Sequence, residues 1–227
     1  MVRGRHPILF GGTDGRAYDE AMSTAHASVA GVVLAAGAGT RFGMPKALVE
    51  SADGTLWLVN AVRSLLGGGC APVVVVLGAR ADEAEALLRR SFPDADSVRV
   101  ARATGWESGM AASLRSGLAA AEALVPEVDA VAIVTVDVPS LGSAEVRRLS
   151  GPEPDAMGRQ TLRQATFSGR PGHPVVIGRD HWKALSDSVT GDVGARPYLV
   201  QHGARLIGCS DLGDGADVDS PDDTHER

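Results

Sequence analysis

The sequence predicts one three-layer α/β domain, Rossmann-like, built on a mostly parallel and twisted sheet. Three observations carry that prediction. Short β-branched runs alternate with longer alanine- and leucine-rich stretches from Val29 onward, which is the pattern of βαβ units. Most of those runs are apolar throughout, as strands covered on both faces are. A chain of 227 residues, 44% hydrophobic and 22% charged, is long and apolar enough for one large core, which excludes wholesale disorder.

Residues Met1 to Ser28 have no sustained periodicity and contain Gly11, Gly12 and Gly15, so they are expected to be an N-terminal extension. The domain is then expected over 29–223, with 224–227 as a short tail. Strands are predicted at Gly31–Ala35, Pro72–Leu77, Ser97–Ala101, Ala130–Val136, Pro174–Ile177 and Arg205–Cys209. Helices are predicted at Leu56–Leu66, Asp82–Ser91, Met110–Leu124, Ser143–Leu149, Asp180–Ser186 and Ala195–His202. Gly67-Gly68-Gly69 ends the first helix, and Asp82, followed by Glu83 and Glu85, is the expected N-cap of the second. The stretch Gly151 to Gly172, rich in proline, glycine, arginine and glutamine, reads as a mobile loop over the site or a surface excursion.

Composition removes several classes of function. The longest apolar runs, such as Val73–Leu77, fall far short of the roughly 20 residues that cross a bilayer. Polar and glycine residues interrupt the N-terminal stretch that an export signal would need, so the expected location is cytoplasmic, with no membrane partner. Cys70 and Cys209 are too few for a disulfide scaffold or a four-cysteine zinc site. A net charge of −6 argues against nucleic acid as a partner, because phosphate-tracking surfaces carry an excess of Lys and Arg.

The most informative segment runs from Val32 to Lys46 and reads Val-Val-Leu-Ala-Ala-Gly-Ala-Gly-Thr-Arg-Phe-Gly-Met-Pro-Lys, directly after the first predicted strand. In open α/β sheets, ligands collect beyond the carboxyl ends of strands, where glycines let backbone N–H groups approach phosphate oxygens. Gly37, Gly39 and Gly43 meet that need. Arg41 can fork onto phosphate oxygens, and Lys46 supplies a compact positive charge. No Gly-Lys-Ser or Gly-Lys-Thr stands at P-loop spacing, and the dinucleotide fingerprint fits poorly, because its third glycine comes one place late and Pro45 would break the following helix. A triphosphate loop fits better than either. The plainer alternative is a tight turn with two solvated cations.

Asp137 follows the apolar run Val131–Val136, so it places a carboxylate just beyond a central strand. That position suits Mg²⁺, although turns and caps also use such an aspartate. The run Trp106-Glu107-Ser108-Gly109-Met110-Ala111-Ala112-Ser113 reads as a loop entering a helix. Gly109 would allow close approach there, and Ser108 or Ser113 could bond a base edge or simply cap and pack the helix. Trp106 reads more readily as a core or rim residue than as a stacking platform.

Taken together, these motifs resemble the molybdopterin nucleotidyltransferase-like family, specifically its molybdenum cofactor cytidylyltransferases, over Val29 to Asp223. The Ala35-Ala36-Gly37 form and the Pro45-Lys46 pair look more like the cytidylyltransferase branch than the guanylyltransferase branch. The family's Asp-x-Pro element matches Asp137-Val138-Pro139, with valine where many relatives have glutamine. Its closing aspartate element resembles Asp217-Val218-Asp219-Ser220-Pro221-Asp222-Asp223.

The resemblance implies a nucleotide-diphospho-sugar transferase-like fold and a triphosphate held along Leu34, Ala35, Ala36, Gly37, Gly39, Arg41 and Lys46. It also implies Mg²⁺ on Asp137 and Asp219. Gly172-His173-Pro174 and Gly191-Asp192-Val193-Gly194-Ala195-Arg196 match elements near the acceptor, so His173 and Arg196 become acceptor-binding candidates, while Asp192 is alternatively expected to cap the helix beginning near Ala195. The implied reaction is transfer of CMP from CTP to a molybdopterin-type small-molecule acceptor, with Lys46, Arg41 and Asp137 as the catalytic set. A molybdenum hydroxylase or its chaperone is the implied protein partner.

Nicotine blue oxidoreductases look similar to this family and share the loop. That leaves an NAD(P)H-dependent reductase as the alternative, with Arg80 as a contact for a 2′-phosphate. A non-catalytic nucleotide-binding or cofactor-delivery protein for a molybdenum hydroxylase is the third reading.

Overall fold

The structure is a computed structural model in which residues 27–94, 96–152 and 156–220 are described. The expected extension, apart from Ala27 and Ser28, and the expected tail lie outside those residues. Seven strands form one sheet: β1 (Val29–Ala35), β2 (Val73–Leu77), β3 (Val98–Arg102), β4 (Ala130–Thr135), β5 (Leu162–Phe167), β6 (Arg170–Gly178) and β7 (Arg205–Gly208). Their order across the sheet is β3-β2-β1-β4-β6-β5-β7. β1 runs parallel to both β2 and β4, β2 to β3, and β5 to β7, whereas β6 is antiparallel to β4 and β5.

Among the described residues, six α-helices cover the two faces: α1 (Trp57–Gly67), α2 (Ala81–Ser91), α3 (Met110–Glu122), α4 (Ser143–Ser150), α5 (Trp182–Ser188) and α6 (Arg196–Gln201). Successive strand residues point to opposite faces, and the core divides accordingly. Val73, Val75 and Leu77 pack with Leu58, Val62, Leu87 and Leu149 of α1, α2 and α4. Val74 and Val76 pack with Leu114, Leu118, Leu185 and Leu199 of α3, α5 and α6. Every β2 residue is therefore buried, which is why that strand reads as an unbroken apolar run.

The sheet grows in one direction through β1, β2 and β3 and in the other through β4, so β1 and β4 flank a topological switch point. In such sheets, the crevice outside the carboxyl ends of those two strands is where ligands bind. None of the described helices is long and apolar enough to cross a membrane.

Four expectations are corrected. Residues 162–167 of the predicted loop form β5, inside the sheet. Polar residues hid it, because Arg163 and Gln164 are buried, where strand patterning expects apolar side chains. The Arg163 guanidinium is buried because it donates to the carbonyls of Leu149 (2.9 Å) and Gly151 (2.7 Å), closing the C-terminal end of α4. The strand predicted at Pro174–Ile177 extends back to Arg170, since β5 and β6 form a hairpin across Ser168 and Gly169. Asp82 is not the cap of α2. That place falls to Arg80 in a left-handed conformation (φ 50°), and no side chain bonds the helix start. Likewise α6 is preceded by Ala195, and Asp192 makes no capping bond. Both cysteines are free and buried, and burial pushes the Cys70 thiol up to about 11.

Candidate nucleotide and metal site

A cavity of about 460 Å³ opens at the switch point, lined by the chain from Leu34 through Phe42, by Lys46, and by Thr135, Val136 and Asp137. Its opposite wall includes Trp106, Glu107, Gly109, Met110, Ser113 and Asp192. The loop after β1 turns at Gly39 (φ 61°), where the Phe42 amide donates to the Gly39 carbonyl (2.9 Å). A Cβ on Gly39 would overlap the Met44 carbonyl, so this turn requires glycine. Gly37 differs, because a Cβ there would meet nothing within 4 Å, and the exposed backbone is open to the cavity. Phe42 anchors the loop by its edge-to-face contact with Trp57 at the start of α1 (5.3 Å, 66°).

Lys46 opens a short 3₁₀ turn, Lys46–Leu48, whose Ala47 is buried, and this aims the ammonium back into the cavity. There its Nζ lies 3.3 Å from Asp137 Oδ2 and 3.0 Å from Asp219 Oδ1. The exposures of the three side chains are 15%, 27% and 61%, which leaves Asp219 on the solvent side. Asp219 reaches this place because Val218 is buried and its amide donates to the Asp137 carbonyl (2.8 Å). Asp219 lines this cavity, and Asp217 lines the next.

The neighbouring cavity, about 270 Å³, shares Leu34, Met110, Thr135 and Asp137 with the first. An apolar floor of Leu114, Ile133, Val175 and Leu199 meets polar groups from Gln164, His173, Arg196 and Asp217. His173 Nδ1 stands 3.2 Å from the Ile133 carbonyl and donates to it in the neutral tautomer. Burial pushes the His173 imidazole below its ordinary value, against a weaker opposing pull from the Asp137 carboxylate, so it is a neutral hydrogen-bonding group.

The residues singled out in the sequence thus separate into groups. Leu34, Ala35, Ala36, Gly37, Gly39, Arg41, Lys46, Gly109, Ser113, Asp137 and Asp219 line the larger cavity, and His173 and Arg196 line the smaller. Ser108 lines neither, and its hydroxyl donates to the Gly105 carbonyl (2.7 Å). Arg80, the candidate for a 2′-phosphate, forks onto Glu83 at 2.6 and 2.5 Å. Thr135, Gln164, Asp192 and Asp217 line these cavities without having been assigned to them. Asp217 sits in the same acidic stretch as Asp219, whereas nothing in the sequence marked Thr135.

A larger surface cavity, about 790 Å³, lies at the opposite, amino end of β4 beside Asp129 and holds none of these residues.

Residues 31–206 match the model of the MobA-like NTP transferase domain. Nicotine blue oxidoreductase of Paenarthrobacter nicotinovorans is 38% identical over 202 residues, 85% of this chain and 92% of that one. Among solved structures, Rv0371c of Mycobacterium tuberculosis H37Rv is similar at 26% identity and a TM-score of 0.67, covering 88% of this chain and 97% of that one. The same protein has been solved in complex with manganese. A nucleotidyl transferase from Methanothermobacter, 23% identical over 86% of this chain and 94% of its own, shares the fold with a TM-score of 0.64. The chain belongs to the MobA-like NTP transferase family, and its single α/β domain is a nucleotidyltransferase domain.

Proposed function

We propose that the chain transfers CMP from CTP to a molybdopterin-type cofactor, with Mg²⁺ as the metal and pyrophosphate as the second product. The observation that carries this reading is the Lys46 ammonium held between Asp137 and Asp219 beneath an open glycine loop, with a second cavity meeting the first at Asp137.

The donor set suits Mg²⁺. Two carboxylates already converge on one cation, and Mg²⁺ is commonly bound by one or two carboxylates, with substrate phosphates and water completing its shell. Among the described residues, no group of three or more His, Cys, Asp or Glu side chains could hold a metal. Asp137 and Asp219 would therefore hold the ion together with the triphosphate. When bound, the ion neutralises charge across the phosphates. The manganese complex of Rv0371c supports a divalent ion in a similar fold.

In the proposed step, an oxygen of the acceptor's terminal phosphate attacks the α-phosphorus of CTP. A new P–O bond forms, the bond to the α–β bridging oxygen breaks, and pyrophosphate leaves with that oxygen. The attacking oxygen is already anionic, so the site needs alignment and charge compensation more than a general base. Backbone amides around Gly37 and Gly39 would receive phosphate oxygens. Arg41 would fork onto them, and Lys46, turning from its carboxylates to the triphosphate, would follow the charge that develops on the leaving group. Gly109 and Ser113 stand where the nucleoside would reach the wall of α3. His173 and Arg196 would bind the acceptor in the smaller cavity, Arg196 through its phosphate. A molybdenum hydroxylase or its chaperone would take the product.

Pyrophosphate release from CTP, with Mg²⁺ and the molybdopterin cofactor, tests the reading. Release should depend on all three, and no release would reject it. The second reading, NAD(P)H-dependent reduction, is favoured by the 38% identity to a nicotine blue oxidoreductase. Arg80, that reading's candidate for a 2′-phosphate, pairs with Glu83 on the surface and lines neither cavity. NADPH oxidation by a quinone-like dye, without pyrophosphate release from CTP, would select it.

A further inference from the structure

We infer that Arg115 is a positioning residue for the acceptor side, holding residues 189–195 in the wall between the two cavities and so setting where Arg196 stands. This inference rests on the acceptor role proposed for Arg196.

Residues 189–195 join α5 to α6 and touch both cavities. Asp192 lines the larger one, while Gly194, Ala195 and Arg196 line the smaller. Four contacts with α3 and the residue before it fix the segment. Arg115 Nη1 donates to the Val189 carbonyl (2.7 Å), and the Ala111 amide, in the first turn of α3, donates to the Gly191 carbonyl (2.9 Å). At Gly109 (φ 113°), a Cβ would come within 2.5 Å of the Gly191 carbonyl and 2.6 Å of Asp192 Oδ1, so the segment lies against bare backbone. Gly194 in turn faces the Met110 side chain, whose Sδ would stand 2.8 Å from a Cβ there.

Of these contacts, only the Arg115 bond is made by a side chain that lines neither cavity. Helix α6 is short and starts at Arg196, so the position of that guanidinium follows from the segment before it. Arg115 therefore acts on the acceptor through the loop.

The test is transfer kinetics on the full chain with CTP, Mg²⁺ and the molybdopterin cofactor. Arg115→Ala should raise the acceptor KM about tenfold, the value of one hydrogen bond from a charged donor. The kcat and the KM for CTP should stay within twofold, since the proposed function places none of residues 189–195 on the nucleotide. Arg115→Lys, which keeps a donor, should recover part of the loss. In an Arg196→Ala background, Arg115→Ala should add less than twofold, because both changes act on one contact. Hydrogen exchange should show the Ala111 amide opening faster in Arg115→Ala, with the rest of α3 unchanged.

A purely structural role would lower the active fraction and kcat while leaving the acceptor KM alone, and that result overturns the inference. So does an acceptor KM within twofold of wild type, or full additivity with Arg196→Ala, in an enzyme that transfers CMP normally. A wild-type chain that transfers nothing overturns the proposed function, and the acceptor role of Arg115 with it.

Discussion

Substituting alanine at two neighbouring glycines should separate loop folding from phosphate binding. Gly39 has φ 61°, and a Cβ there would overlap the Met44 carbonyl. An L-residue in the left-handed region costs about 1–2 kcal/mol, and shifting the loop to clear the carbonyl adds about 1–3 kcal/mol by the usual measure of overpacking. The sum, about 2–5 kcal/mol, corresponds to a Tm lower by roughly 4–20 °C for a chain of this size. At Gly37 nothing lies within 4 Å of a Cβ, so Gly37→Ala should move the Tm by no more than about 2 °C. The same methyl would project where the proposed function puts triphosphate oxygens against the backbone amides, so Gly37→Ala should still weaken CTP binding, by about tenfold or more if one charged hydrogen bond is lost. Differential scanning fluorimetry and isothermal titration on the same preparations read both quantities. A Gly37→Ala protein that binds CTP as well as wild type would refute the phosphate loop, and a Gly39→Ala protein of wild-type stability would refute the turn.

Three further outcomes follow from the same geometry. Lys46→Met should lower kcat by about 10²–10³, the usual loss for one preorganised electrostatic donor. Without nucleotide it should also bind Mn²⁺ more tightly than wild type by electron paramagnetic resonance titration, because the ammonium no longer competes for Asp137 and Asp219. Unfolding measured from pH 8 to 5 should show stability lost as pH falls through about 6.5, because the unfolded state then protonates a histidine that the folded state keeps neutral. His173→Asn should flatten that slope. Arg163→Met should leave the Leu149 and Gly151 carbonyls unpaired and cost about 3 kcal/mol, read as a Tm loss of roughly 6–12 °C with CTP affinity unchanged.

What could be read in the sequence follows from how local each signal is. The loop from Leu34 to Lys46, the strand end at Asp137 and the entry to α3 are contiguous stretches whose glycines, cations and apolar runs carry their own meaning. The hairpin that adds β5 and β6 was half legible. Its apolar partner Val175–Ile177 stood out, but Arg163 and Gln164 are buried for tertiary reasons that no periodicity encodes. Asp82 and Asp192 had the right residue type for caps, yet the chain enters α2 through a left-handed Arg80 and lays Asp192 against Gly109 instead. Ser108 carried a suitable hydroxyl, and only the structure reveals that Gly105 uses it. Asp217 and Asp219 flank the buried Val218, yet they line different cavities, a division that no local pattern encodes.

Calorimetric titration of CTP into wild-type and Asp137→Asn proteins, each with and without Mg²⁺ and alongside NADPH, tests most directly whether the glycine loop and the paired carboxylates hold a metal-bound triphosphate. CTP should bind the wild type tightly only with Mg²⁺, Asp137→Asn should lose that enhancement, and NADPH should bind weakly to both. Metal-independent CTP binding that Asp137→Asn leaves untouched, or tighter binding of NADPH than of CTP, would contradict the account.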